Sequence, residues 1–381
     1  MNRDKPFYLS LIGNNSHKVK ITPGQGRFTI GVKDLSSGKC DAFVGIDDKI
    51  NWNVFNDFSV PAGGNWPRVL DYTGDDTSFI QWTTNRVLES MEWKPVNCKL
   101  ADFSKAKIGT LCITVEKPLT IILGVGVSEV IIYGDVNLVE LAECEYLSKI
   151  TFRIKTAQKK QDNYVLKEFP QLNHITDLSL FTSVVGQAVD CQSLMQFSHL
   201  TTLALSGNII NTEALVEYRA LECLELRYVS NLDNFPSLYS WPNLNYFIAW
   251  NIEANGGKKL KKELDTLQKD KIFQYASISN LKKSDWFISE YGIPFAIWKG
   301  QNGKIAVKAY KEALKGLKKI IKEEEAKTIL VTMIRVINTL PNIETEERED
   351  TYLACMQLSK MANIPLEESK VEVWFDECRI F

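Results

Sequence analysis

Leu200 to Asn211 reads LTTLALSGNIIN. Leu200, Leu203, Leu205 and Asn208 fall on the spacing L-x-x-L-x-L-x-x-N. Leu203 and Leu205 are two apart, so on a strand they point to one face while Thr202, Ala204 and Ser206 point to the other. The segment therefore reads as a short strand with an apolar side for a core and a small, polar side turned away from it. Asn208 follows where the chain has to turn out of the strand, and its amide can bond backbone groups there. The stretch specifies architecture and carries no catalytic chemistry.

Working outward, the spacing recurs. Ile108-x-x-Leu111-x-Ile113, Val127-x-x-Val130-x-Ile132, Leu147-x-x-Ile150-x-Phe152 and Ile175-x-x-Leu178-x-Leu180 precede it, and Leu221-x-x-Leu224-x-Leu226 and Leu244-x-x-Phe247-x-Ala249 follow. Their starts are 19, 20, 28, 25, 21 and 23 residues apart. On these residues the chain resembles the leucine-rich-repeat family, whose period is about 20–29 residues. The copies are degenerate. Only the copy at Leu200 keeps its Asn in register; Asp135 takes that place in the copy at Val127, and Asn251 lies one position early in the copy at Leu244. A repeat of this kind has only its neighbours to pack on, so several must stack, and the two ends need caps. The expected fold is α/β: a leucine-rich-repeat-like solenoid over 101–280, a β-rich N-terminal domain over 1–100 and an α-helical C-terminal region over 281–381.

The N-terminal part carries strand signals. KVKI (18–21), RFTIGV (27–32), CDAFVGI (40–46) and INWNVF (50–55) are rich in β-branched and aromatic residues and are separated by Pro23-Gly24, Ser36-Ser37-Gly38 and Asp47-Asp48. After Pro61-Ala-Gly-Gly, RVLDYTGDDTSFIQW is expected to add one or two strands, and Thr84 to Trp93 a short helix. Trp52, Trp66, Trp82 and Trp93 read as packed core rather than as a binding platform, since large aromatics dominate cores. The turn from Asp71 to Asp76 lacks the alternating ligands and terminal Glu of a calcium loop and reads as a polar turn.

Beyond 280 the period becomes helical. WFISEYG is a short helix stopped at Gly292. Ile305, Ala309, Ala313, Leu317 and Ile320 mark one helix with lysines opposite. Helices over about Glu323–Leu340 and Glu344–Met361 follow, the latter with acidic residues in its first turns, where the helix dipole favours them. The tail VEVWFDECRIF is compatible with a strand or a final helical turn.

Composition narrows the function classes. At 381 residues, 45% apolar, 24% charged and net charge −2, the chain has an ordinary globular balance and no global attraction to nucleic acid or anionic membranes. The apolar run Phe7–Ile12 is too short for a signal peptide, and no stretch is long enough to span a bilayer. The expected compartment is the cytoplasm, and the composition reads as bacterial. The eight scattered cysteines form no C-x-x-C pair, so buried free thiols are expected rather than disulfides or zinc.

The chain shows no complete catalytic set. His174 and His199 each precede the first position of a repeat and read as structural neighbours; His17 has no partner visible in the sequence. There is no G-x-S-x-G elbow. Gly124-Val-Gly126 is followed by another strand rather than a helix and reads as a loop between repeats; Gly300 to Lys304 is too short for a phosphate loop. The lysines at 258, 259, 261 and 262, and at 315, 318, 319 and 322, lack interleaved arginines and aromatics and read as solvated helix faces. What remains is the sheet face between the leucine-like positions. Its candidate partner-binding residues are Tyr133, Lys149, Arg153, Asp177, Phe181, Glu225, Arg227, Tyr246 and Trp250, a mixture of aromatics, Arg and charges of the kind that anchors interfaces. The resemblance implies a non-enzymatic, cytoplasmic protein that sequesters or scaffolds a protein partner, at its narrowest an immunity protein neutralising a bacterial toxin. No cofactor, metal, nucleic acid or membrane is expected. The alternatives are an enzyme with its site in the N-terminal domain or an interdomain cleft, for which Asp71, Asp75 and Asp76 come first, and a scaffold within a larger assembly.

Overall fold

The computed structural model describes residues 6–379 apart from 23, 34, 37–39, 60–63, 156–161, 184–186, 299 and 344, and the backbone alone at 290, 296, 297, 345, 346, 348 and 349. The expected turns at Pro23, Ser37-Gly38 and Pro61-Ala-Gly, and the expected helix start at Glu344, lie outside the described residues.

The alternation seen in Leu203 and Leu205 builds one sheet of 12 strands. They are Arg27–Val32, Ala42–Val44, Val69–Thr73, Leu88–Lys94, Ile108–Val115, Val127–Gly134, Lys149–Ile154, Asp177–Phe181, Thr202–Ser206, Cys223–Arg227, Tyr246–Trp250 and Tyr275–Ser279. Every pairing is parallel. Order across the sheet follows order in the chain, except that Ala42–Val44 forms the edge beyond Arg27–Val32. The register reproduces the alignment read from the sequence: Leu111, Val130, Ile150, Leu178, Leu203, Leu224 and Phe247 lie side by side, each fully buried. Burying each such side chain contributes about 1.5–3 kcal/mol, the gain that fixes the register.

Parallel neighbours need a crossover, and the return path is also ordered. Leu100–Phe103, Leu119–Leu123 and Val139–Glu143 form a separate parallel sheet whose Ile121 and Leu141 enter the common core. Farther along the returns run through 3-10 turns at Cys191–Gln196, Thr212–Glu217 and Leu238–Ser240. The carboxylates of Asp135 and Asp190 and the hydroxyl of Ser237 accept the free N–H groups at the starts of such turns. Gly124 and Gly126 are required by close approach: a Cβ on them would stand 1.9 Å from the Ser104 oxygen and 2.1 Å from the Ala106 oxygen. The loop reading of this pair therefore holds.

Leaving the sheet follows a common rule. Gly134 ends a strand and Gly207, Tyr228, Asn251 and Asn280 each directly follow one, with φ of 108°, 103°, 54°, 52° and 55°. Gly and Asn are the residues that enter this left-handed region most readily. Asn251 stands one position early in its repeat because it occupies this exit position, the place of Gly207, and not the place of Asn208.

The stretch after Arg68 gives one strand, within the one or two expected, and then the helix Ser78–Trp82. Two local expectations are corrected. INWNVF forms the 3-10 turn Trp52–Phe55 instead of a strand. Thr84 to Trp93 yields the strand Leu88–Lys94, not a helix. There the three-residue gap between Leu88 and Met91 imitates a helical period, but Leu88-x-x-Met91-x-Trp93 is another copy of the repeat spacing. Its three apolar residues are buried between the strands on either side. Phe273-x-x-Ala276-x-Ile278 is a further copy at the far edge. The sheet and its core thus run without interruption across residue 100, and a single cluster of buried residues reaches from Leu9 to Leu264. The four early tryptophans lie in it, 3%, 2%, 8% and 1% exposed in chain order, as core.

The helix Ala254–Asp270 buries Leu260 and Leu264 and leaves Lys258, Lys259, Lys261 and Lys262 in solvent. After a short helical turn and a π-turn over Phe287–Tyr291, the helices Gly300–Leu317, Glu323–Asn338, Thr345–Lys360 and Glu368–Cys378 gather around a second core that includes Tyr310, Leu330, Ile334, Leu358 and Phe375. The tail is therefore helical through Cys378, with Ile380 and Phe381 outside the described residues. All eight thiols are free; Cys112, Cys144, Cys191 and Cys355 are buried and the others half-buried. Among the described residues no helix is long and apolar enough to cross a membrane.

Candidate binding face

Each of the strands Asp177–Phe181, Thr202–Ser206, Cys223–Arg227 and Tyr246–Trp250 alternates half-buried and buried residues. The half-buried positions all lie on the side away from the core. Because the register is exact in steps of one repeat, they form lateral rows. One row runs Tyr133, Arg153, Phe181, Ser206, Arg227, Trp250. Strands about 4.8 Å apart make this a continuous surface.

The nine residues expected from the sequence are on this surface and fall into two groups. Tyr133, Lys149, Arg153, Asp177 and Phe181 occupy three adjacent strands. The Arg153 guanidinium lies 5.4 Å from the Tyr133 ring centre and 4.6 Å from that of Phe181, within cation–π range of both. Lys149 pairs with Glu129 at 2.9 Å, and Asp177 accepts the Thr176 hydroxyl at 2.6 Å. Glu225, Arg227, Tyr246 and Trp250 form the second group. Arg227 pairs with Glu225 at 3.0 Å, and Tyr246 packs on Tyr275 with ring centres 5.6 Å apart. The small side chains of Thr202, Ala204 and Ser206 lie between the groups.

Trp250 is partly engaged by the chain itself. Its ring meets Tyr228 edge-on at 5.0 Å; Tyr228 stacks on Tyr291 at 4.1 Å, and Tyr291 on Trp286 at 5.7 Å. This tier joins the sheet to the connector before the C-terminal helices. Sequence reading did not single out Tyr228, Tyr291 or Trp286; the one available signal was Tyr228 at the exit position, where the repeat pattern puts Gly or Asn. A bulky residue held at φ 54° costs on the order of 1–3 kcal/mol, and the aromatic tier is what engages it.

The same face continues to the N-terminal strands, where Arg27 donates to Asp71 at 2.6 Å and to Glu92 at 2.8 Å. Burial, the leading cause, and the neighbouring Glu92 charge raise the Asp71 pKa despite Arg27, and its buried Oδ1 has no hydrogen-bond partner among the described residues. Burial likewise pushes the Cys112 and Cys223 thiols up to about 11, so neither is a ready thiolate at neutral pH.

The three aspartates first in line for catalysis do not converge on one substrate position. Asp71 pairs with Arg27. Asp75 accepts the backbone N–H of Val96, Asn97 and Cys98, and the buried Asp76 accepts those of Ile50 and Ser78, the Trp52 indole and the Ser78 hydroxyl. They hold the polar turn and the loop around it together. His17 lies between the Phe43 oxygen and the Ser16 hydroxyl, and His199 against the Asn173 oxygen; the buried Nε2 of His174 has no hydrogen-bond partner among the described residues. Among the described residues no three His, Cys, Asp or Glu side chains gather to hold a metal.

Compared with known proteins, the chain matches no family model, no curated protein and no solved structure.

Proposed function

We propose that this is a non-enzymatic binding protein, a degenerate leucine-rich-repeat-type solenoid that holds a protein partner on the open face of its sheet. One observation carries the reading. All-parallel sheets are ordinarily covered on both faces and read as apolar throughout. This one buries a single face and presents rows of half-exposed Arg, Tyr, Phe, Trp and paired charges on the other. A stacked array with an extended free face is the arrangement that repeat proteins use for binding. Two groups rich in arginine and aromatics on either side of small residues supply anchors with a recess between them.

The mechanism is occlusion by surface complementarity, in the cytoplasm. The narrower form of the proposal is an immunity protein that sequesters a toxin. The test is affinity capture from native lysate with the tagged protein, its Phe181→Ala/Arg227→Ala variant and a variant altered only on the solvated lysines at 258 and 259. One stoichiometric partner, lost from the first variant and kept by the second, supports the face. A partner kept by both overturns the choice of face. If the partner arrests growth when expressed alone and is harmless when co-expressed, the immunity role stands; a partner harmless on its own removes it.

A further inference from the structure

Among the described residues, the cations of the open face divide into those with a carboxylate of their own and one without. Arg27 has Asp71 and Glu92, Lys94 has Glu116 at 2.8 Å, Lys149 has Glu129 and Arg227 has Glu225. Arg153 makes no ion pair with any described residue and stands instead between the rings of Tyr133 and Phe181.

The register explains the difference. The acid serving Arg227 is two residues earlier on its own strand, the next outward position. The corresponding position beside Arg153 is Thr151, flanked by Ile131 and Ser179. No carboxylate is placed to reach it from this row, and Glu129, one position farther down, is taken by Lys149. Arg153 also lines a cleft of about 720 Å³ bordered by Thr114, Tyr133, Phe181 and Thr182. The carboxylates of this cleft are engaged, Glu116 by Lys94 and Asp135 by the Tyr164 hydroxyl and the Asn137 N–H.

We propose that Arg153 is the seat for a carboxylate side chain of the protein partner, an Asp or Glu inserted into this cleft. The inference rests on the binding reading above and names the chemistry the partner presents. Rings on both sides hold the guanidinium plane, so less side-chain freedom is lost when its N–H edge meets a carboxylate in the two-pronged geometry that Arg favours. Lysine in its place would keep the charge but lose both the fork and the stacking.

The test is selection from a random heptapeptide library displayed on phage, near physiological salt, against the whole protein and its Arg153→Ala, Arg153→Lys and Lys258→Ala variants. Arg153 and Lys258 are exposed, so these variants keep the fold, which circular dichroism checks. The expected result is enrichment of peptides containing Asp or Glu. Their affinity should fall about tenfold or more in Arg153→Ala, by less in Arg153→Lys, and little in Lys258→Ala, whose cation lies on the solvated helix face away from the sheet. Enriched peptides without acidic residues, or acidic ones bound equally by Arg153→Ala, overturn this inference and leave the binding face standing. Failure of every chain to enrich any peptide overturns the inference and counts against the face itself.

Discussion

Between 177 and 227 the inward strand positions form a ladder of leucines, with Leu178, Leu203 and Leu224 side by side and Leu180, Leu205 and Leu226 forming a second rung row. Between 28 and 103 the same sheet is filled by rings. Phe79 lies 5.7 Å from Trp52, 5.5 Å from Trp93 and 6.0 Å from Phe103, and Phe28 packs on Phe55 and Trp66. The backbone plan is shared, and the difference lies at the inward strand positions: these are leucines in the central strands, whereas Phe28, Tyr72 and Trp93 stand among them in the first strands. One architecture can thus be packed by two chemistries, and only the aliphatic one leaves a readable spacing.

The sharpest way to break this comparison is to remove the central ring of the aromatic part. Phe79→Ala deletes a fully buried side chain in contact with four other rings and is expected to destabilise by about 4 kcal/mol, measured by urea unfolding. Leu203→Ala, equally buried in the aliphatic ladder, is expected to cost about 3 kcal/mol. Because one core joins both parts, both substitutions should move the same transition, seen alike by tryptophan fluorescence and far-ultraviolet circular dichroism. Separate transitions, with Phe79→Ala shifting the fluorescence alone, would show that the array divides near residue 100 after all. Gly124→Ala tests the junction between the two chemistries. Its methyl group would meet the Ser104 oxygen at 1.9 Å, so backbone has to move, and a loss of about 2 kcal/mol is expected. An unchanged midpoint would mean that the coils there are not in tight contact.

The same contrast accounts for what could be read in advance. The central copies and their lateral register were legible because L-x-x-L-x-L needs only two apolar positions on one face of a strand, and that signal survives substitution by Ile, Val or Phe. The copies at Leu88 and Phe273 were hidden because Met, Trp and Ala took the leucine positions, and in the first a three-residue gap imitated a helix. The outward residues followed directly from the register, so all nine candidate positions lie on the open face. Pairing among them followed only in part from spacing. Glu225 and Arg227 are successive outward positions of one strand, whereas the rings beside Arg153 stand on the adjacent strands, 20 and 28 residues away in sequence. The aromatic tier at Trp250 was out of reach because it brings in Tyr291 from the connector.

The smallest expected effect separates Asp71, on the strand Val69–Thr73, from Asp75 in the turn that follows it. At Asp75, burial works to raise the carboxyl pKa, but the backbone N–H groups of Asn97, Val96 and Cys98 outweigh it and hold the value below the usual 3.8. A carboxyl depressed in the folded state stabilises the fold above its ordinary value, and that contribution is lost as the pH falls through the folded value. Asp75→Asn should therefore cost about 1 kcal/mol at pH 7, where a charged acceptor is replaced by a neutral one, and the gap from the unsubstituted protein should close below pH 4. Asp71 has the opposite sign. Its pKa is raised, burial first, so its ionised form opposes folding as the pH rises from the ordinary value through the folded one. Asp71→Asn should gain on the unsubstituted protein across that interval while Asp75→Asn falls behind it. Parallel pH profiles for the two variants would contradict the assignment of one carboxylate to a set of backbone donors and the other to a half-buried position beside Glu92.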